Sequence, residues 1–307
     1  LELTKIMKRA CRLQPLGYNN RKYVTLSKLS TNLASCYKLH REPLIEQRTA
    51  ETSDLGFDTQ GVGNTTSNSA EFLLAATELN QWQTASSVVR HILESKMPIK
   101  TEWLKSETLR TAIINYYVKS GQIKKGLQFM DDLVSMHGEN VLSDAIFSNL
   151  LSGIASAIRG GDVYLIQTAE MLFQKALHTL KQSPSASVFG AVATCYCFVP
   201  NAAACLDLLK TMIQKKEWPD PHDLLYGLCL NALVQHYRDP MPYEEGWKYV
   251  DEILTLMKAN NVHIDNAIYS CLFRLCGGAF CNQSNLQKLH FFYDELEQNG
   301  IKLRRLT

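Results

Sequence analysis

Few residues in this chain stand at spacings that could do chemistry. His40-Arg41-Glu42 is half of a zinc-deaminase signature, in which His-x-Glu followed by Pro-Cys-x-x-Cys holds a metal-bound water beside a proton-shuttling carboxylate. No Cys-x-x-Cys occurs anywhere in the 307 residues. Cys195-x-Cys197 and the set Cys271, Cys276 and Cys281 invite a metal. Residues two apart on a helix diverge, and five apart are nearly as poorly placed for one tetrahedral ion, so small buried hydrophobes are the plainer reading. Asp131 and Asp132 point about 100° apart on a helix and read as a solvated face. Gly61-Val-Gly63 lacks the Lys-Ser/Thr of a phosphate loop, and the eight histidines form neither His-Glu-x-x-His nor a Ser/His/Asp set. The chain is read as non-enzymatic, with no catalytic residue, metal or cofactor.

The elements that carry these residues are marked by one apolar signature that recurs six times along residues 82–296. It runs apolar, small at plus three, two apolars at plus six and seven, and apolar at plus ten, which is one stripe of an α-helix. Its centres are Ala85, Gly126, Ala169, Cys205, Gly246 and, with a large residue in the small slot, Leu289, spaced by 41, 43, 36, 41 and 43 residues. The pairs after each centre are Val88/Val89, Phe129/Met130, Leu172/Phe173, Leu208/Leu209, Tyr249/Val250 and Phe292/Tyr293. Trp82, Ile123, Ile166, Ala202, Tyr243 and Leu286 open the six copies. A repeat of this period predicts stacked helical hairpins rather than one globular core. The first helices are predicted near 69–79, 107–120, 145–158, 186–198, 223–237 and 266–276, each with a signature helix just downstream. The small central residue lets the two helices of a hairpin approach. Extra chain is expected at Thr101–Ser106 and Gly277–Asn285. The predicted fold is all-α, an α-solenoid of about six antiparallel helix-turn-helix repeats with a basic N-terminal extension.

Charge separates the ends of the chain. Residues 1–50 hold ten Lys/Arg and three Asp/Glu, whereas the remainder holds 22 basic and 27 acidic residues. Residues 1–50 therefore form a basic arm, 51–65 a polar linker and 66–307 the repeat array. Leu3, Ile6, Met7, Ala10 and Leu13 make an apolar stripe, with Lys5, Lys8, Arg9 and Arg12 on other faces and Arg21 and Lys22 following. This composition fits a mitochondrial targeting segment or a basic arm of the kind that ribosomal proteins thread along RNA. A start at Leu1 without an initiator Met favours a retained arm. Nine cysteines scattered through apolar stretches fit reduced thiols rather than a disulfide framework. The longest apolar run, Val188–Val199, is too short to span a bilayer, which takes about 20 residues.

The stretch from Asn115 to Leu133, Asn-Tyr-Tyr-Val-Lys-Ser-Gly-Gln-Ile-Lys-Lys-Gly-Leu-Gln-Phe-Met-Asp-Asp-Leu, resembles a pentatricopeptide repeat. It has that family's Lys-x-Gly turn and its second-helix pattern. Ala186–Asp220 matches the period and ends Trp-Pro-Asp, Leu286–Leu303 contains Glu-Leu-Glu-Gln-Asn-Gly-Ile-Lys, and aromatics lie near first-helix starts at Phe147, Phe189 and Tyr269. The resemblance covers about residues 66–305. It implies an organellar protein of the mitochondrial matrix that binds single-stranded RNA through two positions per repeat, one early in the first helix and one just before the next unit. The early positions are then Ala70, Thr111, Ser148, Gly190, Asn231 and Ser270, with partners Ser106, Ser143, Ser185, Tyr226 and Asp265. Asn231 with Asp265 is the pair best equipped for a base edge; Thr111/Ser143 and Ser148/Ser185 offer hydroxyls, while Ala70 and Gly190 offer none.

These readings converge on a mitochondrial RNA-associated protein, a structural component of a ribonucleoprotein such as the mitochondrial ribosome. The expected partners are RNA, single-stranded or ribosomal, and neighbouring proteins, with no membrane span and no small-molecule substrate. The alternative is a tetratricopeptide-like protein-interaction scaffold that does not touch RNA, which the mildly acidic array favours.

Overall fold

A computed structural model of the chain describes residues 62–95, 99–199, 201–215, 218–221, 223–236, 243–276 and 283–300. The basic arm, with Lys5, Lys8, Arg9, Arg12, Arg21 and Lys22, lies outside the described residues. So does most of the Gly277–Asn285 insertion.

Among the described residues there are thirteen α-helices and no strand. Six first helices are α1 (Val62–Glu78), α4 (Glu107–Lys119), α6 (Asp144–Arg159), α8 (Ala186–Phe198), α10 (Asp223–His236) and α12 (Asn266–Cys276). Their partners are α2 (Trp82–Glu94), α5 (Ile123–His137), α7 (Ile166–Thr179), α9 (Ala202–Gln214), α11 (Tyr243–Ala259) and α13 (Gln283–Gln298). These are the hairpins that the periodicity predicts, except that α1 begins seven residues ahead of Ser69. Turns between partners use the left-handed region. Gly121 (φ 74°) lets Gln122 N–H reach back to the Tyr117 carbonyl at 2.7 Å, and Asn80 (φ 57°) does the same for Gln81 and Ala76 at 2.8 Å.

The signature is a packing stripe. All six centres are buried, as are Val89, Phe129, Met130, Leu172, Phe173, Leu208, Leu209, Val250 and Phe292. An added Cβ at Gly126 would stand 3.2 Å from Leu150 Cδ2 and 3.4 Å from Tyr117 Cβ, so the small slot exists for close helix approach. Trp82 departs from the pattern. It opens α2 but remains 36% exposed, whereas Ile123 and Ala202 in the same slot are buried.

First helices form an inner row in which α4, α6, α8, α10 and α12 each pack on the next. Gly153 of α6 makes one such approach, with an added Cβ falling 2.8 Å from Val118 Cγ1 of α4. Second helices also pack on the following first helix at α5–α6, α7–α8 and α9–α10. Along the outer row, ion pairs join successive second helices: Lys175–Asp131 at 3.3 Å, Lys210–Glu252 at 2.7 Å and Lys288–Asp251 at 3.6 Å. Such exposed pairs contribute about 0–1 kcal/mol each and report alignment rather than create it.

The long spacing between the first two units has a visible cause. A short extra helix, α3 (Ile99–Trp103), occupies the expected insertion. Trp103 and Leu104 bury its apolar side, and the Trp103 ring sits 5.7 Å from His91 of α2. Arg110 of α4 is 7% exposed and donates from one guanidinium nitrogen to the Leu104 and Lys105 carbonyls, both at 2.7 Å. It thereby supplies the hydrogen bonds that the end of α3 lacks. Burial lowers its pKa, with Glu107 opposing that shift.

Candidate nucleic-acid interface

The register of the inner row starts from its helix caps. Ser106, Ser143 and Ser185 are the N-cap residues of α4, α6 and α8. Asp265 serves α12, its Oδ1 accepting from the Ala267 and Ile268 N–H groups at 3.0 and 2.9 Å. Four residues after each cap comes a side chain that is buried every time: Arg110, Phe147, Phe189 and Tyr269. In α10 the same slot holds Tyr226, fully buried like Phe147 and Tyr269. The next residue in each helix is Thr111, Ser148, Gly190, Gly227 and Ser270, and all five are half-buried. A Cβ added at Gly190 or Gly227 meets nothing within 4 Å. The fifth position thus opens on free space at Gly190 and Gly227 and is half-buried at Thr111, Ser148 and Ser270, each directly beside the buried side chain that anchors its helix.

Asn231 lies four residues beyond Gly227, one helical turn further along α10, and its Nδ2 donates to Cys197 Sγ at 3.0 Å. Tyr226 is the anchoring aromatic of its helix and not a partner position. Asp265 is the capping residue of α12. Ala70 is fully buried. The missed signal was Tyr226 itself, since an aromatic four residues after the cap recurs in α6, α8 and α12.

The remaining predicted pairs, Thr111 with Ser143 and Ser148 with Ser185, stand in register. Two of their four hydroxyls, those of Ser148 and Ser185, are committed to the fold. Ser185 donates from Oγ to the Asp144 carboxylate and from its N–H at 2.7 Å to the same group. Ser148 Oγ donates to the Ala145 carbonyl at 3.2 Å. Thr111 Oγ1 and Ser143 Oγ are buried without a hydrogen-bond partner, a situation that costs about 1–3 kcal/mol per group until something satisfies it. As placed, the row is a surface of small residues, and of the capping serines only Ser106 accepts a cap hydrogen bond through its hydroxyl, from the Leu109 N–H at 3.4 Å.

Positive charge gathers at the other end of the first helices. Lys119, Arg159 and Arg274 occupy the last turns of α4, α6 and α12, all exposed, where the helix macrodipole favours cations. Arg159 also lies 5.5 Å from the Phe198 ring centroid. The inner-row tyrosines serve packing: Tyr116, Tyr117 and Tyr226 are buried, and Tyr196 is half-buried with its pKa pushed up to about 12 by burial and then by Glu170.

The cysteines of α8 diverge toward its two neighbours. The Cys195 thiol donates to the Leu151 carbonyl of α6 at 3.8 Å, while Cys197 faces Asn231 of α10. Burial pushes both thiols up to about 12.

No protein-family model and no curated protein matches the chain. Solved structures do. The pentatricopeptide repeat protein PPR10 in complex with an 18-nt psaJ RNA element aligns with a TM-score of 0.50 and 14% identity, over 78% of this chain and 36% of that one. A triple cysteine-to-serine variant of PPR10 with the same RNA element gives the same values. The chain thus spans little more than a third of the length of that protein. Its architecture is that of a pentatricopeptide-repeat-like helical array.

Proposed function

We infer that this protein is an RNA-associated helical-repeat scaffold, a structural component of a ribonucleoprotein in the mitochondrial matrix, such as the mitochondrial ribosome. The observation that carries the reading is the likeness in fold, over 78% of the chain, to a repeat protein solved with RNA. The open fifth-position row and the exposed cations Lys119, Arg159 and Arg274 support it. The row favours RNA held by shape and phosphate over RNA read base by base. The Ser148 and Ser185 hydroxyls, already donated to the Ala145 carbonyl and the Asp144 carboxylate, are not free to choose between base edges, and Gly190 and Gly227 present no side chain at all. Asp265 and the Thr111/Ser143 and Ser148/Ser185 pairs border the path of the strand. Lys5, Lys8, Arg9, Arg12, Arg21 and Lys22 add phosphate contacts from the arm.

Anisotropy titration of the full chain with an unstructured single-stranded RNA, repeated across salt, tests this. Binding should weaken with a log–log slope of about −0.7 per phosphate contact. Replacing Lys5, Lys8, Arg9 and Arg12 together with Gln should shrink the slope by about 3. No binding at low salt would return the array to its alternative role as a protein-interaction scaffold. The exposed apolar side chains Val163, Tyr164 and Met171 at the α6–α7 corner favour that alternative.

A further inference from the structure

The second helix of unit four meets the first helix of unit five at two sulfur atoms. Cys205 on α9 and Cys229 on α10 are both buried. The Cys229 thiol donates to Cys205 Sγ at 3.2 Å and lies 3.4 Å from the Cys205 carbonyl oxygen. Cys195 and Cys197 instead face a carbonyl and an amide. Among the described residues no group of three or more His, Cys, Asp or Glu side chains is arranged to hold a metal ion, which leaves two thiols facing one another. A disulfide needs about 2.05 Å between sulfurs, so closure takes a shift of roughly 1 Å in side chains already in contact.

We propose that Cys205 and Cys229 are a covalent modification site, a dithiol that closes to an intramolecular disulfide and staples repeat four to repeat five. The co-reactant is a two-electron thiol oxidant, of which a small-molecule disulfide is the simplest. One cysteine, as thiolate, attacks that disulfide, forms a mixed disulfide and expels one small thiolate. The second cysteine then attacks the sulfur of the first and expels the other. Two cysteine S–H bonds are lost and one S–S bond forms in the protein. The external S–S bond is reduced to two thiols, which take up the two protons.

Burial sets when this happens. The hydrogen bond to Cys205 and desolvation hold the Cys229 thiol protonated well above the usual range, and only a thiolate attacks. The exchange therefore waits for α9 and α10 to part locally. Once formed, the bond links positions 24 residues apart and restrains the unfolded chain.

The experiment uses the reduced full-length chain, incubated with oxidised glutathione and separately with diamide, with and without urea below the unfolding transition. Remaining thiols are alkylated and counted, and a non-reducing digest is mapped by mass spectrometry. The count should fall from nine to seven, with Cys205 and Cys229 peptides joined. Closure should run at least about fivefold faster in urea, as expected of a reaction that follows local opening. The product should melt about 5–10 °C higher. Cys205→Ala or Cys229→Ala should abolish both the joined peptide and the thermal shift; the wild-type map stands even where a variant fails to fold. Crosslinks confined to other cysteines, a lasting mixed disulfide on either residue, no reaction under any of these conditions, or a joined pair with unchanged melting would each overturn the proposal.

Discussion

Helix α8 buries Val188, Phe189, Ala191, Val192, Ala193, Cys195 and Cys197, residues that cover about two thirds of its circumference. Helix α7, its neighbour in the outer row, buries only Ala169, Leu172, Phe173 and Ala176 and leaves Gln167, Glu170, Met171 and Gln174 in solvent. An inner helix is enclosed by the preceding and following first helices and by second helices, so it has little polar face to spare. An outer helix packs along one stripe. Burial in the inner row is therefore where stability concentrates, and the fifth-position row is one of the less enclosed faces left on it.

The largest test of this contrast removes one aromatic from the inner row. Phe147→Ala should cost about 3–5 kcal/mol by urea denaturation, whereas Met171→Ala on the outer face should stay within about 0.5 kcal/mol. Comparable losses at both sites would erase the distinction.

Alkaline pH probes the same row through its thiols. Cys195 and Cys197 are held near 12 against an ordinary 9. Above pH 9 the unfolded chain gives up these protons while the folded chain keeps them, so stability present below pH 9 is lost as pH rises toward 12. Between pH 8 and 10.5 the two together should remove about 4 kcal/mol, read as a falling urea midpoint. Replacing both with Ala should remove that part of the decline and leave the share contributed by Cys229 and Cys271.

Glycines of the inner row should split in sign. Gly153→Ala drives a methyl against Val118 and should destabilise by about 1–3 kcal/mol. Gly190→Ala and Gly227→Ala point into open space, and should stabilise by about 0.5–1 kcal/mol through helix propensity alone. A loss at Gly190 or Gly227 would mean that the fifth-position face is not open. Smallest of all, Lys175→Ala breaks an outer-row ion pair and should change the midpoint by less than about 0.5 kcal/mol.

The same contrast explains what the sequence disclosed. Outer helices alternate buried and exposed faces at helical period, so Ala169, Leu172, Phe173 and Ala176 announce both the helix and the side it buries. The six hairpins follow from such stripes. The inner helices α4, α8 and α10 carry no such period, because apolar residues occur on nearly every face, and nothing in Leu224–Leu233 says which residue looks outward. Asn231 drew attention as the polar residue of that run, yet its amide is spent on Cys197. Register came instead from two local facts, the capping residue and the buried aromatic four positions later. The extra helix α3 was legible as surplus chain, but the role of Arg110 in finishing it was not, since it depends on where the Leu104 and Lys105 carbonyls fall in space.

The central claim is that RNA lies against the fifth-position row. Photocrosslinking of the full chain to single-stranded RNA carrying 4-thiouridine, with the linked peptides mapped by mass spectrometry, addresses it most directly. Crosslinks should fall in α4, α6, α8, α10 and α12 near Thr111, Ser148, Gly190, Gly227 and Ser270. Crosslinks confined to the exposed faces of α5, α7 and α9 would contradict the account.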